Sequence, residues 1–383
     1  MSKPAKRPAF LLFFPLAALL ASLAVPFSIW AVFSGTGWPA GLVGPGHGFE
    51  LIFGFALALI AGYTLGPQPA RILYPLLGLW LAARLLRIPC PDQLLSTALS
   101  VSFALLLAWH VVPRFSTARQ WRNRITAPLI LTLCLLPLLA ALLALTWKLM
   151  PTLAAHIRLD PGRLLHVGVI CLLLLMSFIG GRVIAPAAAH TLEQRGIELQ
   201  ARLQPRLEGA LIILLGASII VLLIPGLPAD ASSPLAGALL VGASLVLAVR
   251  GLRWQLWKCA SRPDVLAFGV GYLWLALGSL ASGIAFVAGR SPTAALHLIT
   301  VGGLGTLSTS IMLRLYFQRT SRTPPPTGWV LCITGLIALA SLARYLSGDM
   351  PFAHPLLLSI SAASWSAAYL LLTVLMLKLG RQL

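Results

Sequence analysis

Three histidines carry the chemistry this chain could do. His47, His166 and His297 stand at or near the starts of the second, sixth and tenth long apolar runs, a recurrence every four runs. Neutral imidazole is a ligand for haem iron and for copper, and an ionisable ring at hydrocarbon depth is costly unless hydrogen-bonded or coordinated. The spacing therefore points to a metal centre. The plain alternative is a set of interfacial rings at headgroup level, because His156 and His354 fall on the same side of the bilayer as these three. Glu50 is the one carboxylate clearly at or inside an apolar run, three residues after His47 and on the same helical face. It could orient a ligand or pass protons; otherwise it is a headgroup-level acid paired with Arg163 or Arg290.

The elements that must position these residues are membrane helices. The chain has 383 residues, 58% of them hydrophobic and 10% charged, a balance that a soluble protein of this size could not carry on its surface. At about 20 apolar residues per crossing, twelve spans are expected: 10–33, 49–66, 70–86, 94–113, 126–149, 164–184, 209–226, 234–250, 264–288, 293–316, 327–346 and 355–379. No soluble domain interrupts them, so residues 1–383 read as a single polytopic domain. The polar stretch from Ala185 to Glu208 is expected to form a short amphipathic helix on the inner face. The tenth span, HLITVGGLGTLSTSIMLR, replaces the Leu and Val that lipid favours with Gly302, Gly303, Gly305, Thr306, Ser308 and Ser310, which predicts close packing against neighbours or a cofactor.

Basic residues orient the chain. With the N-terminus in the cytoplasm, only Arg84, Arg87, Lys148, Arg158, Arg163, Arg290 and Arg344 of the 28 Lys and Arg lie outside, a three-to-one bias that puts both termini inside. Topology thus explains the net charge of +19 without a nucleic-acid partner. The five cysteines form no CxxC or CxxCH, so neither a disulfide framework nor covalent c-type haem is indicated. Phe10 to Phe33 is too long for the apolar core of a signal peptide and reads as an uncleaved first span. Arg182 and Arg314, at the inner ends of the sixth and tenth spans, read as snorkelling anchors rather than cofactor clamps. No relay of protonatable groups crosses the bilayer, which argues against a redox proton pump.

At these residues the chain resembles the NnrS family, haem- and copper-containing proteins of the bacterial inner membrane tied to the nitric oxide response and denitrification. GHGFELIFGFA, with His47, Glu50 and Phe53-Gly54-Phe55, is similar to the family's WHAHEMLFGFA. SFIGGRVIAP, with Gly181-Arg182-Val183, resembles its GRVIP motif; Gly271-Tyr272-Leu273-Trp274 after Pro263 resembles PLLWxLHLGYxWL; and HLITVGGLGTLSTSIMLR resembles HALTVGAIGGMxxxMMxR. Three family histidines are replaced, by Phe49, Gly269 and Arg319.

The resemblance implies an all-α protein of about twelve transmembrane helices, with a pseudo-threefold arrangement distantly like the large subunit of haem-copper oxidases. It implies a b-type haem between His47 and His297 with Glu50 beside it, His166 being left for copper, and nitric oxide or metal nitrosyls as partners in nitrosative stress. It names no reaction, so it does not make the chain an enzyme. Two other readings stay open: a transporter or channel without redox chemistry, and a cofactor-free degenerate member serving as a structural partner.

Overall fold

The computed structural model describes residues 6–157 and 159–382. Lys3 and Arg158, counted in the charge balance, lie outside the described residues. Lipid offers no hydrogen-bond partners, so apolar runs of this length satisfy their backbone internally as helices. Eleven helices among the described residues are long and apolar enough to cross a membrane. They are α1 (Phe10–Phe33), α2 (Pro45–Thr64), α4 (Leu94–Ser116), α5 (Thr126–Leu149), α6 (Pro161–Glu193), α7 (Pro205–Leu223), α8 (Ala229–Arg253), α9 (Pro263–Val287), α10 (Thr293–Thr320), α11 (Thr327–Leu346) and α12 (Pro355–Gly380). The remaining expected span, the third, is α3 (Ala70–Arg87), also a helix, but it carries Arg71, Arg84 and Arg87 and is not among the eleven. Two of these arginines are drawn inward by a buried carboxylate described below, which is why a charged run still folds as a helix.

The expected amphipathic helix at 185–208 does not form as a separate element. Instead α6 continues through buried Ala187, Ala188, Ala189, Thr191 and Leu192 to Glu193, because this alanine-rich turn still has an apolar face to bury. The chain then turns at Gly196, whose φ of +72° suits glycine, and α7 starts at Pro205.

The chain divides into two compact units, residues 1–168 with 373–380, and residues 169–372 with 381–383. In the first unit, a short strand β1 (Lys6–Pro8) pairs antiparallel with β2 (Pro67–Pro69), the turn between α2 and α3. Arg114 of α4 donates to the Leu65 carbonyl at 2.5 Å and so ties the same end of α2. In the second unit, α8 and α9 cross at bare backbone: a Cβ on Gly237 or Gly283 would stand 2.7 Å from the other's carbonyl oxygen. Small residues let helices approach this closely in a membrane.

The sequence does not announce one feature. α2, α6 and α10 are widened by π-helical segments at Glu50–Ala56, Gly180–Ile184 and Leu298–Leu304. These are the three spans that carry His47, His166 and His297. Such widened turns are rare and concentrate at functional sites.

Candidate functional site

The α2 end is built on glycine and proline. Pro45 opens the helix at its first turn, and His47 turns its Nδ1 back to the Gly44 carbonyl at 2.6 Å. A carbonyl only accepts, so Nδ1 carries the proton and the lone pair of the neutral ring sits on Nε2. His297, the last residue before the α10 widening, makes the matching bond from Nδ1 to the Thr293 carbonyl, also 2.6 Å. His156 donates in the same way to Thr152 at 2.7 Å, in the short helix Pro151–Ile157. The bond alone therefore does not mark a site; His47 and His297 differ in standing at the mouth of a widened turn.

In the first unit the α2 and α6 segments lie side by side. A Cβ on Gly48 would be 3.5 Å from Leu165, and one on Gly168 would be 3.2 Å from Ile52. The neighbours of His47 and His166 are thus brought into contact. His297 belongs to the second unit.

Glu50 does not pair with Arg163 or Arg290 in the hydrogen bonds and ion pairs of its carboxylate. It is fully buried and accepts from Arg84 Nη1 at 2.5 Å, while Arg87 Nε stands 3.2 Å from its other oxygen. Arg84 also donates to Ser100 at 2.8 Å, and the Arg87 guanidinium lies 3.7 Å from the centroid of the Phe49 ring. Sequence reading treated Arg84 and Arg87 only as orienting charges. Their spacing of three on one helix, in a run otherwise fit for lipid, is the signal that they share a buried counter-ion.

The second unit has a comparable network beside the α6 widening. Arg250 of α8 donates to Glu208 at 2.6 Å, to the Ser177 carbonyl at 2.6 Å and to the Tyr272 hydroxyl at 3.3 Å. A Cβ on Gly181 would meet Arg250 Nη2 and Glu208 Oε1 at 2.6 Å, so the glycine of the GRVI motif is the seat of this ion pair. A side chain that takes a helix carbonyl competes with the helical ladder, a recognised cause of local distortion. Arg314 is ion-paired as well: Asp264 accepts from it at 3.2 Å and from Arg262 at 2.9 Å. The Asp264 hydrogen bond holds the Arg262 guanidinium above its usual pKa.

The three positions where family histidines are missing have other occupations. Phe49 stacks on Arg87 and packs its ring 4.7 Å from that of Phe53. A Cβ on Gly269 would stand 2.7 Å from Leu256, which leaves no room for an imidazole, and Arg319 is exposed in the last turn of α10. Among the described residues no group of three or more His, Cys, Asp or Glu could hold a metal ion. His166 offers copper a single neutral nitrogen. Haem asks less of the protein, one or two neutral imidazoles, and the Nδ1-anchored rings of His47 and His297 have the tautomer it requires.

Compared with known proteins, the chain matches the family model described as NnrS protein over residues 6–381. No curated protein and no solved structure matches it.

Proposed function

Because the chain belongs to the NnrS family, we propose that it is an NnrS-like integral protein of the bacterial inner membrane, with both termini cytoplasmic, that binds b-type haem and serves the response to nitric oxide. The observation that carries the haem assignment is the shared state of His47 and His297, each with Nδ1 bound to its own helix at the edge of a π-helical turn. A second bond of this kind raises the basicity of a ligating ring and fixes its orientation. When bound through such rings, haem iron supplies a site for a diatomic ligand and one-electron chemistry. Glu50, ion-paired with Arg84 and Arg87, is a charged anchor for the turn after His47.

The test is an absorption spectrum of protein purified from haem-replete cells. A Soret band is expected, lost or shifted in His47→Ala and His297→Ala, retained in His156→Ala, and displaced by nitric oxide. Folded protein without haem, or a band indifferent to both ligand variants, refutes the assignment and leaves family membership intact.

A further inference from the structure

Every carboxylate of the first unit lies toward one end of its helices: Glu50 in the early turns of α2, Asp92 between α3 and α4, and Asp160 between α5 and α6. The opposite end carries none. There stand Lys6 and Arg7 of β1, Arg71 in the first turn of α3, Arg114 near the end of α4, and Arg119 and Arg124 in the connection to α5, all exposed. Among the described residues none of these six enters an ion pair, whereas Glu193, Glu208 and Asp264 of the second unit each pair with an arginine, and Glu50 takes both Arg84 and Arg87.

The fold gathers these cations and does not spread them. Arg7 Nη1 donates to the Tyr74 hydroxyl at 2.9 Å, and Arg71 stands three residues before Tyr74, its neighbour on the same face of α3. Two guanidiniums thus flank one phenol. The turn beneath them is pinned, because the Leu65 carbonyl accepts from Arg114 at 2.5 Å and from Gln68 Nε2 at 2.6 Å, while β2 pairs with the strand that carries Lys6 and Arg7. Arg124 Nε donates to the Ala118 carbonyl at 2.7 Å and folds the α4–α5 connection back on itself. Tyr63, Tyr74 and Trp121 are exposed at this end, and rings of this kind settle at the headgroup level of a bilayer.

Like charges held side by side repel unless an anion joins them. The chain supplies no such anion here, so it must come from outside. Arg7 has further N–H groups beyond Nη1, and Tyr74, which accepts from Arg7, keeps its own proton to donate. A phosphodiester fits this set, because guanidinium binds phosphate oxygens in pairs and the phenol adds another donor. At the end of membrane helices, beside exposed rings, the phosphodiester at hand is that of a lipid. We propose that Arg7, Arg71 and Tyr74 form a seat for the headgroup phosphate of an anionic phospholipid, with Lys6, Arg114, Arg119 and Arg124 supplying the field that selects anionic over zwitterionic lipid. Basic clusters of this size next to membrane helices attract anionic headgroups in this way.

The test is native mass spectrometry of the full chain in detergent, titrated with phosphatidylglycerol or with phosphatidylcholine of the same acyl chains. The tightest-held lipid is expected to be phosphatidylglycerol, retained several-fold better than phosphatidylcholine and less so as salt is raised. Arg7→Gln with Arg71→Gln should lower that retention several-fold, Tyr74→Phe should lower it less, and Arg7→Lys with Arg71→Lys should keep most of it, with unfolding midpoints in phosphatidylcholine nanodiscs unchanged. Lys148→Gln with Arg290→Gln removes equal charge from exposed positions at the far end of α5 and in the second unit, and should leave retention as it was. Equal retention of the two lipids, or an equal loss in that control pair, overturns the proposal. So does displacement of the lipid by inorganic phosphate or by a hexaglutamate peptide at matched concentration, which would mark a free-anion site or a protein-docking surface. None of these readouts depends on haem, so this proposal and the haem assignment fail separately.

Discussion

The widened turns of α2 and α10 are built alike and completed differently. Each spans seven residues, Glu50–Ala56 and Leu298–Leu304, with a glycine in fifth place whose carbonyl accepts an N–H three residues on, from Leu57 and from Gly305. Each is flanked by a histidine and faced by an indole from a neighbouring helix. At Gly54 the indole closes the turn, Trp80 Nε1 donating to the glycine carbonyl at 2.9 Å. At Gly302 a Cβ would stand 2.7 Å from Trp274 Cγ and 2.8 Å from its Cδ2, and the Trp274 N–H has no hydrogen bond among the described residues. The α2 turn is further locked by charge, Glu50 between Arg84 and Arg87, whereas neutral hydroxyls surround the α10 turn. The same backbone device is thus saturated in one unit and left with hydrogen-bonding capacity in the other.

The largest expected effect breaks the locked turn. Glu50→Ala leaves the Arg84 guanidinium, 4% exposed, without its counter-ion, and removal of one partner of a buried pair costs roughly 3–5 kcal/mol. Thermal or detergent-induced unfolding should show that loss, and Arg84→Met added to Glu50→Ala should recover part of it, because the uncompensated charge is gone. A mild single variant would mean the cluster is solvated. No substitution of a neutral group at the α10 turn should approach this size.

A Cβ tests the two glycines next. Gly302→Ala drives a methyl into the rigid indole and Ser341, an overpacking that costs typically ~1–3 kcal/mol. Gly54→Ala meets chiefly the end of the Arg84 side chain, at 2.8 Å from Nη1, with Arg84 Cδ and Leu20 Cδ2 at 3.2 Å. That side chain can give way more easily, so Gly54→Ala is expected to be the milder of the two. The reverse order in unfolding midpoints would show that the α2 turn is the tighter one.

Much of this fold was legible because lipid imposes one rule. The helices Phe10–Phe33, Thr126–Leu149 and Thr327–Leu346 have the bounds read from hydropathy. The motif around His47 and the small-residue run after His297 were legible as well, and both lie on widened turns. The widening itself was not, since π-helical geometry depends on which donors neighbouring helices bring to the carbonyls, as Trp80 does for Gly54. The ion pairs were hidden for a related reason: Glu208 and Asp264 open helices and read as loop acids, yet both are buried against arginines distant in sequence. Hydropathy places a residue along the membrane normal and does not say what it faces.

The indoles give the smallest and sharpest test of the contrast. Trp80→Phe removes the side-chain donor to the Gly54 carbonyl, and leaving a buried acceptor with one bond fewer is expected to cost about 1–2 kcal/mol beyond the lost ring area. Trp274→Phe deletes an equal ring area but no protein hydrogen bond. If Trp274 has no partner, the variant relieves a desolvated donor, and stability should change by less than the Trp80 variant does after correction for volume. If one water completes the Trp274 and Ser341 hydrogen bonds, Ser341→Ala and Trp274→Phe act on one shared molecule, so their double-mutant cycle should depart from additivity by more than about 0.5 kcal/mol. Additivity in that cycle, with the Trp80 variant still costly, would leave the α10 turn dry and reduce the difference between the turns to ring orientation alone.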